Sequence, residues 1–454
     1  MKKMLVAGLA AVLAASCLMV GCSKNKDAAA TSDAKAPAAG KVLNIYVWNE
    51  EFQGRVRQFY PGYNASNDTI GDVKVNWVIT PNANNAYQNK LDEVLLQQEN
   101  AAADDKVDIF LVEADYALKY TDTPYTLDVK KDVGLTDADL SRQYKYTKDI
   151  MTTPAGILKG VSWQACPAGV IYRRSIAKDV LGTDDPEQVQ NYLSDWAKFD
   201  GVAKQAKDKG YIMVSGYDDD FRVFSDNVKS PWVVGNKINI DPSIREWISQ
   251  TKTYTDNGYN NKASLWSAEQ WAGAKKDGKV MCYFGPAWFI DFSLAPQTKD
   301  NPDGENALGN GSYGDWAFCK GPQGYSWGGT WICGAAGTDN IDLVKDIMLK
   351  MTCDDAVMTK MAEDVGEFAN NEVAMTKIAN GSYANAFLGG QNHIKYFLDS
   401  AKSIDKSNIS PYDQGMTEKL QAAMKDYYDG KVSEDQAWEN FYKSILETYP
   451  NLTR

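Results

Sequence analysis

The stretch VDIFLVEAD (107–115) decides the fold. Its first six residues are apolar apart from Asp108, which indicates a strand buried on both faces of a sheet. Two strand-like runs precede it, VLNIYVW (42–48) and DVKVNWVIT (72–80), and YQNKLDEVLLQQ (87–98) has the apolar spacing of a helix. Alternation of strands and helices predicts an α/β fold with parallel sheets.

Polar residues stand where these three strands end. In parallel sheets the ligand gathers beyond the carboxyl ends of the strands, so these residues are expected to form a hydrogen-bonding rim. The predicted rim residues are Trp48, Asn49, Glu50, Asn85, Glu113 and Asp115.

The same pattern restarts in the second half of the chain. GILKGVSWQACPAGVIYRRS (156–175) holds two strand-like pieces around Trp163 and Gln164. YIMVSGYDDD (211–220) is a predicted strand that ends at Asp218, and the apolar run of 280–288 is predicted to turn at Gly285-Pro286 and present Trp288. A further strand carries Trp331, and two helices close the chain, the second opening with a Ser433-x-x-Gln436 capping box.

The N-terminus has the features of a secretory signal. Lys2 and Lys3 precede an almost wholly apolar stretch, 4–20, that is short for a membrane span and is followed by a small residue. The ending LMVGC (18–22) resembles the bacterial lipobox, which predicts a signal peptide over 1–21 and a lipidated Cys22. Residues 22–41, rich in Ala, Ser, Lys and Asp, are predicted to be a flexible tether.

Composition excludes several functions. A net charge of −12 with no basic patch argues against nucleic acid as a partner. Five cysteines lie beyond the tether: Cys166, Cys282, Cys319, Cys333 and Cys353. They include no Cys-x-x-Cys pair, so no metal site is predicted. The sequence leaves open whether two of them form a disulfide. The single histidine, His393, has no nucleophile or metal signature nearby, which argues against triad or zinc chemistry, and no cofactor is expected.

Aromatic residues are numerous, with 13 Trp and 25 Tyr. Such side chains are rigid and amphipathic, and they recur where a ligand has both apolar faces and hydroxyl groups. Carboxylate and carboxamide oxygens at the strand ends suit the same ligand, because they accept hydrogen bonds from hydroxyls.

The chain resembles the extracellular solute-binding proteins of ABC importers, in the carbohydrate group that includes the maltose-binding protein. The resemblance rests on motifs in the family's order, and it covers essentially all of 41–454; the motifs are VDIFLVEAD (107–115), KGVSWQACPAGVIYRRSIAKDVLG (159–182), DGKVMCYFGPAWFIDF (277–292) and the final helices. It implies a two-lobed fold of type II, each lobe a parallel-type sheet flanked by helices, with a sugar bound between the lobes.

The resemblance also implies boundaries and roles. Lobe 1 is expected over 42–155 plus 328–385 and lobe 2 over 160–320 plus 390–454, with crossovers near 153–165, 318–330 and 380–395. Asp115 would accept from a sugar hydroxyl and Trp288 would be a stacking platform, and Tyr412 stands near the place of a tryptophan that the family has and this chain lacks.

The expected function is therefore capture of a sugar or oligosaccharide by hinge closure and its delivery to the permease of an ABC importer. The protein is expected to be a monomer outside the cytoplasm, attached to a bacterial membrane only through its lipid. Two alternatives stay open. A polyamine or other polar solute could be held by the carboxylates, and a pair of carboxylates could also hydrolyse glycosidic bonds.

Overall fold

The computed structural model of the protein describes residues 40–454. The signal peptide over 1–21, the lipidation of Cys22 and most of the tether predicted over 22–41 lie outside the described residues. Within 40–454, no helix combines the length and apolar character needed to cross a bilayer.

A seven-stranded sheet forms the first lobe, in the order β2-β3-β4-β1-β5-β15-β6. Its strands are β1 (Val42–Val47), β2 (Tyr63–Asn64), β3 (Thr69–Ile70), β4 (Val73–Ile79), β5 (Ile109–Glu113), β6 (Val161–Ser162) and β15 (Thr330–Gly334). Strand β1 pairs in parallel with β4 and β5, as predicted, whereas β15 pairs antiparallel with β5. The sheet is therefore mixed, because β15 enters it from the other lobe and runs in the opposite direction.

The second lobe is built on a sheet ordered β11-β8-β12-β7-β13, with β14 paired to β7. The strands of this lobe, including a separate β9–β10 hairpin, are β7 (Pro167–Arg173), β8 (Ile212–Gly216), β9 (Val233–Val234), β10 (Lys237–Ile238), β11 (Asn260–Ala263), β12 (Val280–Pro286), β13 (Trp316–Cys319) and β14 (Tyr325–Ser326). Strand β8 is parallel to both β11 and β12, whereas β7 is antiparallel to β12 and β13.

Helices cover the sheets. They are α1 (Glu51–Phe59), α2 (Ala86–Gln97), α3 (Ala117–Thr121), α4 (Lys145–Ile150), α5 (Arg174–Leu181), α6 (Pro186–Tyr192), α7 (Trp196–Asp208), α8 (Phe221–Ser225), α9 (Pro242–Asn257), α10 (Ala268–Ala272), α11 (Ala295–Thr298), α12 (Ile341–Thr352), α13 (Asp355–Val365), α14 (Glu372–Ala379), α15 (Ile394–Ala401), α16 (Asp413–Tyr428) and α17 (Glu434–Thr448). A π-helix spans Phe289–Leu294, and short 3-10 turns span Ala83–Asn85, Gln98–Asn100, Ala103–Asp105 and Asp139–Arg142. The predicted cap of α17 is present, since the Ser433 side chain accepts from the backbone N–H of Gln436.

Three chain segments, which we call the hinge segments, run side by side where the two sheets meet: 163–166, 327–329 and 368–370. The backbone N–H of Ala165 donates to Phe368 O at 3.1 Å, and that of Trp327 donates to Cys166 O at 3.2 Å. The crossover expected at 380–395 stays a prediction; within that range, Gln391 hydrogen-bonds the backbone of β13 in the second lobe.

Two further details differ from the sequence prediction. Strand β12 continues through Gly285 and Pro286, which pair with β7, so the chain does not turn there but enters a helical turn afterwards. Residues 161–162, expected in lobe 2, pair with β15 of the first sheet. The remaining lobe boundaries stay a prediction.

The cores of both lobes are apolar. Four of the cysteines, Cys166, Cys282, Cys319 and Cys333, are buried and Cys353 is half-buried; all five are free thiols. His393 is also fully buried, and neither ring nitrogen has a hydrogen-bond partner among the described residues. Burial lowers the pKa of His393 to about 3, so the ring is neutral and packs as a core residue against Phe318 and Phe397.

Candidate ligand-binding site

A cavity of about 720 Å³ lies between the two lobes. The ends of β1 and β5 and a hinge residue, Gln164, line it from the first lobe. The loop and helix after β8, the segment around Trp266 and the residues after β12 line it from the second lobe. Strand ends and hinge thus converge on one space of the size of a small-ligand pocket.

The structure brings seven of the predicted residues together around this cavity. These are Trp48, Asn49, Glu113, Asp115, Gln164, Asp218 and Trp288. They meet because each follows a strand end or lies in a hinge segment, and such positions face the space between the lobes.

Two predicted tryptophans belong to the core instead. Trp163 is 0% exposed and its ring stacks on Phe52, with ring centroids 4.9 Å apart. Trp331 is 2% exposed, and its indole Nε1 donates to Thr147 O at 2.8 Å. Side chains of a strand or extended segment alternate between two faces, so a neighbouring residue can face the cleft while these two face inward.

Three other predicted residues do not line the main cavity. Glu50 is exposed in the turn before α1. Asn85 lines an adjoining cavity of about 570 Å³ that shares Glu113 and Asp115 with the main one. Tyr412 is half-buried and packs edge-on against Tyr449, with ring centroids 5.2 Å apart.

Asp115 is held by a guanidinium group from the opposite lobe. Arg222, on α8, donates through Nη1 and Nη2 to the two carboxylate oxygens of Asp115, each at 2.6 Å. Burial alone would raise the pKa of Asp115, but the charge and hydrogen bonds of Arg222 hold the pKa below its usual range. Each oxygen keeps a second lone pair, so the predicted hydrogen bond from a sugar hydroxyl stays a prediction.

Glu113 and Asp218 present carboxyl groups to the same cavity without an ion-pair partner among the described residues. Glu113 Oε2 accepts from the backbone N–H of Asp115 at 2.8 Å, and burial together with the nearby Asp115 charge raises the pKa of Glu113. Burial, and then the charge of Asp219, raises the pKa of Asp218 to about 7. Near neutral pH these two groups can therefore either accept or donate a hydrogen bond.

Indole rings form one wall of the cavity. The planes of Trp266 and Trp288 are inclined by 27° with ring centroids 6.2 Å apart, and Trp327 lies 5.2 Å from Trp288. The Trp288 indole Nε1 donates to Trp327 O at 3.3 Å, which orients the ring. Trp266 is 50% exposed and sits at φ 66°, a left-handed conformation that is rare for a bulky residue and is found at functional sites.

Gly328 in the second hinge segment allows this wall to form. Its φ is 74°, and a side-chain carbon at this position would lie 3.3 Å from the Trp288 ring and 3.5 Å from Glu113 Oε1. A residue without a side chain is therefore needed for the indole and the carboxyl group to approach the hinge.

A polar network joins the hinge to the cavity. Gln164 Nε2 donates to Glu51 Oε1 at 2.9 Å and to Glu367 Oε2 at 3.0 Å. Arg55 Nη2 lies 3.6 Å from an oxygen of each of these carboxylates. Burial and the Glu367 charge raise the pKa of Glu51, so the cluster combines two carboxyl groups with one cation.

Sequence reasoning missed several residues of this site. Arg222, Trp266 and Trp327 lie in loops or in a short helix after the strands, where no periodic pattern marks them. Helix α16 adds Gln414, Thr417 and Gln421 from far along the chain. One signal was available for Trp327, because it stands between Ser326 and Gly328, outside any apolar run.

Fold and site together define a two-lobed α/β binding protein with its ligand cavity between the lobes. A family model described as "Bacterial extracellular solute-binding protein" matches residues 62–393. The chain belongs to this family, which is a family of binding proteins. No curated protein matches the chain.

Solved structures share the fold. The chain superimposes on a structure described as an extracellular solute-binding protein of family 1 with a TM-score of 0.72 at 16% identity, covering 90% of this chain and 99% of the other. The sugar-binding protein MalE of Xanthomonas citri gives 0.66 at 13% identity, covering 90% and 98%. The galacto-N-biose/lacto-N-biose I-binding protein of Bifidobacterium longum, in complex with lacto-N-biose, gives 0.65 at 14% identity, covering 91% and 98%. The expected two-lobed fold is confirmed.

Proposed function

We propose that the protein captures a sugar or oligosaccharide in the cavity between its lobes and delivers it to the permease of an ABC importer. The observation that carries the proposal is the composition of the cavity wall. Four indoles, Trp48, Trp266, Trp288 and Trp327, face the same space as the carboxyl groups of Glu113, Asp115 and Asp218.

This wall matches the chemistry of a sugar ring. A pyranose has an apolar C–H face, which an indole covers, and a rim of hydroxyls, which need hydrogen-bond acceptors and donors. Carboxyl groups supply acceptors, and Gln414 and Gln421 on α16 supply amide donors on the same cavity. Neutral sugars and these residues are therefore complementary both in apolar contact and in hydrogen bonding.

Capture is proposed to proceed by movement of the lobes about the hinge segments. Polar contacts already span the two lobes around the cavity: Asp115 with Arg222, and Asn85 Oδ1 with Gln414 Nε2 at 3.2 Å. A ligand that touches both lobes adds contacts only in the closed arrangement, so it shifts the equilibrium toward closure. A permease could then distinguish loaded from empty protein by lobe position.

Several of the similar structures are described with sugars or as sugar-binding proteins. Besides the two sugar-binding proteins above, the GacH receptor of Streptomyces glaucescens is described in complex with acarbose, at 15% identity and a TM-score of 0.63. At this identity the likeness shows the fold alone, so the sugar enters this proposal through the cavity chemistry.

The remaining features of the proposal concern location and partners. We propose lipidation at Cys22, attachment to a bacterial membrane through that lipid, a position outside the cytoplasm and a monomeric state. We also propose that the protein releases its ligand unchanged and uses no cofactor.

A panel of neutral mono- and oligosaccharides tests the proposal. Ligand-induced thermal shift is the first measurement and titration calorimetry is the second. We expect one-to-one binding of a neutral sugar, and we expect the Trp266→Ala variant to bind that sugar more weakly. Failure of every neutral sugar to bind would refute the proposal.

A second candidate ligand is a polyamine. It is favoured by one observation: Glu113 and Asp218 face the cavity without an ion-pair partner, beside indole rings that attract cations. Putrescine and spermidine belong in the same thermal-shift panel, because binding of amines with no response to sugars would select this candidate. Product analysis after incubation with oligosaccharides tests the proposed absence of hydrolysis.

A further inference from the structure

A second cavity of about 420 Å³ adjoins the main cavity, and it is also lined from both lobes. Arg55 and the end of α13, Glu363–Gly366, line it from the first lobe. The π-helix after β12 and the loop 383–386 line it from the second lobe. Phe292 lines both cavities, so its ring marks the boundary between them.

The two cavities are consecutive sections of one cleft. On α1, Glu51 lines the first cavity and Arg55, one turn later, lines the second. Across the cleft, Trp288 lines the first cavity, and Phe292, four residues on, reaches the second. Both walls therefore run in the same direction from one cavity into the other, which gives the cleft a long axis.

Aromatic rings are distributed along this axis. Trp266 and Trp288 belong to the first cavity, Phe292 lies at the boundary, and Tyr313 and Tyr383 line the second. Phe292 is 55% exposed, although it is a large apolar residue inside a cleft, and it belongs to a π-helix, a feature frequent at functional sites. An exposed ring between the two cavities is suited to cover the apolar face of a ligand that passes it.

The second cavity is also lined by the guanidinium group of Arg55, which pairs loosely with two carboxylates. The Arg55 side chain is 13% exposed, its Nε is buried without a hydrogen-bond partner among the described residues, and its Nη2 lies 3.6 Å from both neighbouring carboxylates. That distance exceeds a hydrogen bond. Asp291, on the facing wall, is fixed by the Asn385 amide, with Nδ2 2.9 and 3.0 Å from its two oxygens. Guanidinium donors and a fixed carboxyl acceptor together can hydrogen-bond several hydroxyls.

We infer that the ligand is an oligosaccharide of at least three units, whose chain continues past Phe292 into the second cavity. This inference rests on the proposed function, because it specifies the size of the sugar. The first cavity lies within the range of pockets that hold a small ligand, so it can hold a mono- or disaccharide by itself. The aromatic and polar wall beyond Phe292 has no role for so short a ligand.

The test is a ladder of neutral oligosaccharides from two to five units, in several linkages, measured by titration calorimetry. The affinity of the wild-type protein for the best series should rise at least tenfold between two and four units and then level off. Ala386→Trp fills the second cavity from an exposed position that does not line the first. It should remove this gain and leave the disaccharide affinity within about twofold of the wild-type value.

Phe292→Ala is a second variant, at an exposed position where the fold tolerates truncation. It should lower the tetrasaccharide affinity about 5- to 10-fold and the disaccharide affinity less. Leu96→Ala, an exposed apolar residue on α2 away from both cavities, is the matched control and should change neither.

The outcomes separate the two proposals. Equal affinities for two and four units, unchanged in both variants, would overturn the inference and leave sugar binding standing. A length gain that survives in both variants would also overturn it, because the extra units would then lie elsewhere. Absence of binding at every length would refute the proposed function, and the inference with it.

Discussion

Truncation of Trp266 to alanine separates a ligand-contacting indole from a core indole. Half of this side chain is exposed in the cleft, whereas Trp331 is 2% exposed. A tryptophan side chain offers up to about 250 Å² of surface, so about 125 Å² of Trp266 is open to solvent. A sugar ring that covers half of this area removes about 60 Å² from water, which at about 25 cal/mol per Å² is worth about 1.5 kcal/mol.

Trp266→Ala should therefore weaken sugar binding about tenfold and lower the unfolding free energy of the empty protein by less than about 1 kcal/mol. Alanine keeps the β-carbon, so the left-handed backbone at φ 66° is strained to the same degree in the variant and in the wild-type protein. A glycine at this position would relieve that strain and so change the stability for a second reason. Trp331→Ala is the matched control and should cost about 3–5 kcal/mol of stability. Titration calorimetry gives the affinity and urea unfolding without ligand gives the stability. A large loss of stability with unchanged affinity in Trp266→Ala would refute the reasoning.

Three further predictions concern the charge pairs, pH and the membrane. Arg222→Gln leaves Asp115 without its cation and should lower the free energy of unfolding by about 1–3 kcal/mol. In a double-mutant cycle measured by urea unfolding, Asp115→Asn should destabilise the Arg222→Gln variant much less than it destabilises the wild-type protein. Additive losses of stability would show that the pair is not coupled. Burial and the Asp219 charge raise the pKa of Asp218 from 3.8 to about 7. Between these two pH values Asp218 is protonated in the folded protein and ionised in the unfolded chain, so the free energy of unfolding falls as the pH rises from 4 to 7. Asp218→Asn should make the melting temperature fall less over that range, and an unchanged pH profile would contradict the assignment. Cys22→Ser should leave the protein folded but release it from the membrane fraction, and retention of the variant there after a salt wash would contradict the lipid anchor.

The sequence predicted the fold where periodicity carries the information. The apolar residues 109–112 lie in β5, and the parallel pairing of β1 with β4 and β5 followed from strand–helix alternation. Periodicity did not predict the direction of the strands at which the chain returns from the other lobe. Strand β15 is antiparallel because of where the chain re-enters the first sheet, and that depends on the hinge rather than on local pattern.

The candidate site was predictable only in part, for a related reason. Strand-end logic located Glu113, Asp115 and Asp218, since the end of a strand is visible in the sequence. It did not distinguish Trp331, which points into the core, from Trp288, which faces the cleft. The direction in which each side chain points depends on the strand register and on where the opposite lobe lies. Arg222 reaches Asp115 from the other lobe, and a partner that is distant in the chain leaves no mark in either local segment.

Native mass spectrometry of the protein in a mixture of neutral oligosaccharides and polyamines tests the interlobe cavity as a sugar site most directly. The wild-type protein should form a one-to-one complex whose added mass is that of a neutral oligosaccharide, and Trp266→Ala should form less of it at the same concentration. A complex with the mass of a polyamine, or an oligosaccharide complex that Trp266→Ala forms equally well, would contradict sugar binding at this wall.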